Sequence, residues 1–184
     1  MLIGITGTLG AGKGTIVDIL IKEYGFKHYS VRNFIAEEIK NRGLSVSRDT
    51  LTSVANDLRE KHGVSYITDS LLQQTKVDNV SNAVIESVRA VGEINDLRKE
   101  KTFVLWAIDA GIKLRYERIK ERKSATDMVS YETFVANEQR EMNNDDPTKQ
   151  NLAECIKLSD KIFINNGTVD DLRASVECEM QSYQ

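Results

Sequence analysis

The 184-residue chain contains one proline, two cysteines and one tryptophan, and its aromatic share is 7%. With only Cys155 and Cys178, neither a disulfide framework nor a multi-cysteine zinc site can be built, so both thiols are expected to be reduced. The longest apolar runs, such as 103–108, are far below the roughly 20 residues that a membrane helix requires. Basic residues number 25 against 28 acidic ones, a net charge of −3, so no general positive field would recruit nucleic acid. The opening Met1-Leu2-Ile3-Gly4-Ile5-Thr6 has no basic flank and no small-residue cleavage site, and reads as a core strand. These absences point to a cytoplasmic protein that meets neither membrane nor nucleic acid; they leave the oligomeric state open.

Composition otherwise suits one globular domain over 1–184: 40% hydrophobic and 29% charged, without repeat or low-complexity tract. Strand-like runs at 2–6, 26–30, 82–87, 102–109 and 161–165 alternate with helical patterns at 13–24, 32–42, 48–62, 66–76, 92–100, 112–123, 130–142, 147–158 and 169–180. Asp146-Pro147 is the expected start of the penultimate helix, Asp capping and Pro in the first turn. Such alternation predicts an α/β fold, a parallel sheet covered on both faces with ligands at the carboxyl ends of its strands.

The strongest local signal is Gly7-Thr8-Leu9-Gly10-Ala11-Gly12-Lys13-Gly14-Thr15, directly after a strand and directly before a helix. Glycines there let successive backbone N–H groups converge on phosphate oxygens, and the helix N-terminus adds positive potential. Lys13 supplies a mobile cation for a transferring phosphoryl group. ATP with Mg²⁺ is the expected ligand of this P-loop. Gly14 follows the lysine where most P-loop ATPases place Ser or Thr, which moves the hydroxyl to Thr15.

That pattern, Gly-x-x-Gly-x-Gly-Lys-Gly-Thr, resembles the adenylate kinase group of P-loop nucleoside monophosphate kinases. Further segments are similar in order and spacing: 28–33 at the opening of the acceptor helices, 83–89 as the strand ending before an arginine, 117–122 as the helix leading to the lid, and 165–168 as the loop beside the adenine. The chain is also similar over most of its length to uncharacterised archaeal and bacterial P-loop kinases related to adenylate and dephospho-CoA kinases. The resemblance implies a three-layer α/β/α sandwich on a five-stranded parallel sheet, a helical acceptor-binding insertion at 32–80 and a short lid at 123–144.

It also implies roles. Gly7, Leu9, Gly10, Ala11, Gly12, Lys13, Gly14 and Thr15 would hold the triphosphate, while Arg118, Asn166, Gly167 and Thr168 would lie by the base. Arg89 would grip the acceptor's phosphate through its planar fork. Glu86 would orient Mg²⁺ through water. Arg122, with Arg140 as a second candidate, would reach the transferring group from the lid. Arg32, Asn33, Asn56 and Arg59 are acceptor-side candidates, for which a surface or packing role is equally open. Asn33 and Glu86 stand where the family has Asp, and Ser87 where it has Gly, so the acceptor pocket should differ from that of adenylate kinase.

Phosphoryl transfer is mostly positioning and charge neutralisation. A phosphate acceptor arrives ionised, whereas a hydroxyl acceptor gains from a nearby carboxylate. No Asp or Glu occurs at 29–33, which favours a small phosphate-bearing acceptor, with Glu37 or Glu38 as the nearest substitutes. A hydroxyl-directed kinase of the dephospho-CoA type and a nucleotide-binding regulatory ATPase are the alternatives.

Overall fold

The computed structural model describes residues 1–122, 129–144, 146 and 149–183. Five strands, β1 (Leu2–Gly7), β2 (Lys27–Ser30), β3 (Ala83–Glu86), β4 (Phe103–Asp109) and β5 (Lys161–Ile164), form one parallel sheet in the order β2-β3-β1-β4-β5. The helices are α1 (Lys13–Tyr24), α2 (Val31–Asn41), α3 (Arg48–His62), α4 (Tyr66–Val77), α5 (Val91–Leu97), α6 (Ile112–Arg122), α7 (Tyr131–Met142), α8 (Leu152–Lys157) and α9 (Val169–Gln181).

β1 is buried along its whole length, and its pleat sends alternate side chains into two cores. Leu2 joins Ile85, Leu105, Ile35, Leu58 and Leu71 on the face covered by α2–α5. Ile3 and Ile5 join Val84, Trp106, Ile108, Ile16, Leu20 and Val176 on the face covered by α1 and α9. A strand buried on both faces reads as a continuous apolar run, which is why 2–6 was legible without alternation. From β1 the chain runs to β2 and returns through β3 on one side, then crosses to β4 and β5 on the other, so the crevice at the carboxyl end of β1 is a topological switch point. The α/β/α sandwich on five parallel strands agrees with the expectation.

One expected boundary is corrected. The helix read at 147–158 begins at Leu152. Asn151 is held outside it, its N–H donating to Arg89 O (3.0 Å) and its side chain accepting from Glu154 N (3.1 Å). Asn151, not Asp146, is therefore the cap; Pro147 lies outside the described residues.

Candidate active site

A cleft of about 1060 Å³ opens at the carboxyl ends of β1 and β3. Its floor is the loop between β1 and α1. Gly7 and Gly12 have φ of 129° and 112°, and a Cβ on either would collide, with Ile108 O at 2.1 Å or Asn165 Nδ2 at 2.5 Å. Only glycine fits where the backbone passes so close. The loop is anchored laterally as well: Thr8 Oγ1 donates to Asp109 Oδ1 (2.6 Å), and Asn165 Nδ2 donates to Ala11 O (2.7 Å). Gly12 is the N-cap of α1, no side chain caps that end, and no acidic residue occupies its first turn. The helix therefore presents bare backbone donors and the positive end of its dipole to the cleft, a fit for polyphosphate.

Lys13 Nζ donates to Gly7 O and Thr8 O, 2.9 Å each. Burial among low-dielectric neighbours, then the Arg89 charge, push its pKa down to about 7, against the opposing pull of Glu86 and Glu141. Glu86, at the end of β3, pairs with His28 Nε2 of β2 at 3.2 Å. Burial alone would raise its carboxyl; the His28 hydrogen bond and the charges of Lys13 and Arg89 outweigh that and hold it below the usual range. Ser87, the next residue, has φ 76°, so serine here occupies a backbone state that glycine adopts freely. Its N–H and that of Val88 both donate to Ile5 O, and this fixes the turn that aims Arg89.

The wall facing the P-loop is arginine-rich. Arg48 of α3 and Arg89 after β3 each donate to Glu141 of α7, Arg48 Nη2 to Oε1 at 2.6 Å and Arg89 Nη1 to Oε2 at 2.5 Å. Arg89 Nη1 also reaches Gln150 Oε1 (3.1 Å). Deeper in, Arg59 of α3 is 1% exposed and donates from Nε (3.1 Å) and Nη2 (2.8 Å) to Glu93 Oε1. Glu93 Oε2 in turn accepts the N–H groups of Arg89 (2.8 Å) and Ala90 (3.0 Å), tying Arg59 to the turn that carries Arg89. Arg59 Nη1 and Arg48 Nε are buried without a hydrogen-bond partner among the described residues. Val31, Ile35, Leu51 and Ala55 complete this wall with apolar surface.

On the other side Arg118 of α6 donates to Asn165 O (2.9 Å) and Gly167 O (3.3 Å), and Asn166 Oδ1 accepts from Gly111 N (2.8 Å). Thr168 and Asp171 form a capping box that closes this loop onto α9. Arg115 of α6 pairs with Glu138 of α7 and reaches Leu9 O of the P-loop (3.2 Å).

Of the residues singled out from the sequence, Lys13, Thr15, Arg32, Arg59, Glu86, Arg89, Arg118, Arg122, Gly167 and Thr168 line this one cleft, with Leu9, Gly10, Gly12 and Gly14. Gly7 and Ala11 are buried behind the lining, and Asn166 is exposed outside it. Asn33 and Asn56 do not line it; the Oδ1 of Asn56 is buried without a partner among the described residues. Arg140 does not line it either: it donates to Asp49 (3.5 Å) and Asn137 (3.3 Å), and its neighbour Glu141 takes the inward position. Part of the expected lid, 123–128, lies outside the described residues. Sequence reasoning missed Arg48, Glu141, Gln150 and His28. Phe134, buried on α7, was the available signal for Glu141, because it marks the helix face that turns inward.

The family model described as an AAA domain matches residues 6–135. A UPF0200 protein of Methanocaldococcus jannaschii is 31% identical over 173 residues, covering 93% of this chain and 84% of its own length. Among solved structures, TT1252 from Thermus thermophilus superposes with a TM-score of 0.62 at 17% identity, covering 100% of this chain and 98% of its own. Dephospho-CoA kinase from Campylobacter jejuni does so with a TM-score of 0.56 at 17% identity, covering 99% and 96%. These likenesses establish a P-loop kinase-like fold.

Proposed function

Because this chain belongs to the AAA domain family, we propose that it transfers the γ-phosphoryl group of MgATP to a small phosphorylated acceptor, of which a nucleoside or deoxynucleoside monophosphate is the class argued for. The observation that carries this reading is the convergence of Arg48, Arg59 and Arg89 on the wall opposite Lys13. Three guanidinium groups around one apolar-backed pocket suit an anion far better than a neutral alcohol.

The residues divide the work. Backbone donors of the P-loop and Lys13 hold the β- and γ-phosphates, and Lys13 moves with the transferring group. Among the described residues no cluster of three or more His, Cys, Asp or Glu is arranged to hold a metal, so Mg²⁺ would take most of its ligands from ATP and water. Thr15 and Glu86, the latter through water, would supply the protein's share, and the cation would neutralise charge developing on the phosphates. Arg89 and Arg59 hold the acceptor's phosphate, one of whose ionised oxygens attacks without a general base. Arg122, at the lid end of α6, neutralises charge on the group in flight. Arg118 and the loop 165–168 bound the base.

A hydroxyl-directed reading is favoured by one observation, the carboxylate of Glu141 in the cleft, and the dephospho-CoA kinase of Campylobacter jejuni is similar in fold. ADP release from MgATP separates the readings when run with ribo- and deoxynucleoside monophosphates, dephospho-CoA and shikimate, with Lys13→Ala as control. Stimulation by one monophosphate, lost in the control, is expected. Arg89→Ala should raise the KM of that acceptor by about 10- to 100-fold, the worth of a hydrogen bond to a charged group, and leave the KM for ATP nearly unchanged. Stimulation by dephospho-CoA or shikimate alone would replace this reading with the hydroxyl one, and stimulation by nothing would point to a regulatory ATPase.

A further inference from the structure

Glu141 is a carboxylate from one helix seated between two arginines supplied by two other elements. We propose that Glu141 is the specificity gate of the acceptor site: it fills the acceptor's anion seat between Arg48 and Arg89 and yields it to a phosphate dianion but not to a neutral hydroxyl or to water. The proposal rests on the reading of the arginine wall as the acceptor side.

Stoichiometry is the first argument. Both Glu141 oxygens are used, Oε1 by Arg48 and Oε2 by Arg89. The other carboxylate of the wall, Glu93, is consumed by Arg59 and by the N–H groups of Arg89 and Ala90. Two carboxylates thus serve a wall of three guanidinium groups, Glu141 for Arg48 and Arg89 and Glu93 for Arg59, and two donors remain over: Arg48 Nε and Arg59 Nη1 are buried with no partner among the described residues. A phosphate brings three terminal oxygens where a carboxylate brings two, and can use a donor that Glu141 leaves unsatisfied.

Charge is the second. Inside a low-dielectric cleft the attraction of two guanidinium groups scales with the charge between them, so a dianion displaces a monoanion, while a neutral group has nothing to exchange. Glu141 is itself buried, and its carboxyl is held below the usual range: burial would raise it, but Arg89 and Arg48 outweigh burial. It therefore competes as a full anion at neutral pH. The competitor is covalently attached, so its effective concentration is high and weak anions are rejected. Without this seat, water and small alcohols would meet an already assembled set of cations next to the γ-phosphate, the condition for wasteful hydrolysis.

The test is calorimetric titration of the full chain with inorganic phosphate in saturating MgADP, together with acceptor-independent ADP release from MgATP. Glu141→Gln removes the competing charge at nearly constant shape and is expected to bind phosphate about tenfold more tightly than wild type and to release ADP faster without acceptor. Glu141→Asp, which keeps the charge but is too short to span both arginines, should fall between. Adding Arg89→Ala to Glu141→Gln should abolish the gain, which separates this site from the P-loop's own phosphate seat. Equal or weaker phosphate binding in Glu141→Gln and Glu141→Asp would overturn the proposal and make Glu141 a brace for Arg89. If the gain appears while no monophosphate stimulates turnover in either protein, the gate stands and the monophosphate kinase reading fails instead.

Discussion

The tie between Arg59 and Glu93 permits a prediction of size. Glu93 is fully buried and Arg59 is 1% exposed, so neither charge has water to fall back on. Glu93→Gln removes the negative charge and also places an amide NH₂ among donors, against Arg59 on one side or the N–H groups of Arg89 and Ala90 on the other. Breaking a buried pair by neutralising one partner costs about 3–5 kcal/mol, chiefly because the remaining charge is stranded. For a protein of 150–250 residues each kcal/mol moves the melting temperature by about 2–4 °C, so Glu93→Gln should melt roughly 6–20 °C below wild type by calorimetry or far-ultraviolet circular dichroism. Arg59→Met in the same background removes the stranded cation. The double variant Arg59→Met/Glu93→Met should recover part of the loss but not all, since the Arg89 and Ala90 N–H groups still lack an acceptor. A Glu93→Gln melt within about 2 °C of wild type, or a double variant no better than the single, would refute this account of the pair.

Three shorter predictions follow from other sites. With Lys13 at about 7 in the protein alone, a bound polyphosphate must raise it, so nucleotide binding takes up a proton above neutrality. Affinity should then fall roughly tenfold from pH 6 to pH 8, with proton uptake at pH 8 visible as a buffer-dependent heat; no uptake would refute it. Ser87→Gly relieves a positive φ and should stabilise by about 1 kcal/mol, raising the melting temperature by ~2–4 °C, whereas a lower one would mean that the serine side chain is needed. Cys155 is buried with its thiol pushed up to about 12, mainly by burial, while Cys178 is exposed. A thiol reagent should therefore titrate one cysteine in the native protein and two in denaturant, and rapid native reaction of both would count against the buried assignment.

The fold was legible in the sequence because its signals are local. The run 2–6 is apolar on both faces, the glycines of 7–14 fall between strand and helix, and Ser47, Ser130 and Thr168 each cap the helix that follows. The start of α8 was misread for a nonlocal reason: a hydrogen bond from Asn151 to Arg89 O, some sixty residues away, decides where that helix begins. The P-loop half of the site was likewise readable from spacing. The arginine wall was half readable, since Arg59 and Arg89 stood out beside a buried strand and an acceptor helix, but their partners lie on other elements. Nothing near Arg89 in the chain announces Glu141, 52 residues on. His28 escaped for the same reason, since only the register of β2 on β3 brings it beside Glu86.

The α7 segment shows where a better rule lay. In 138–141 the arginine drew attention because phosphates need cations, yet the two glutamates turn inward and Arg140 turns out. At 3.6 residues per turn, Glu138 and Glu141 lie four and seven positions beyond Phe134, within about 40° of it around the helix, whereas Arg140 lies about 120° away. Phe134 is 1% exposed, packs near Tyr116 of α6, and so settles which stripe faces the body of the protein. Once that stripe is inside, its two carboxylates are costly unless paired, and each finds arginine: Glu138 meets Arg115, which also holds Leu9 O of the P-loop, and Glu141 meets Arg48 and Arg89. One face of one helix thus reaches the P-loop through Glu138 and Arg115, and the arginine wall through Glu141. The two halves of the cleft are contacted from that one face, and the face was readable from the spacing of Phe134, Glu138 and Glu141 alone.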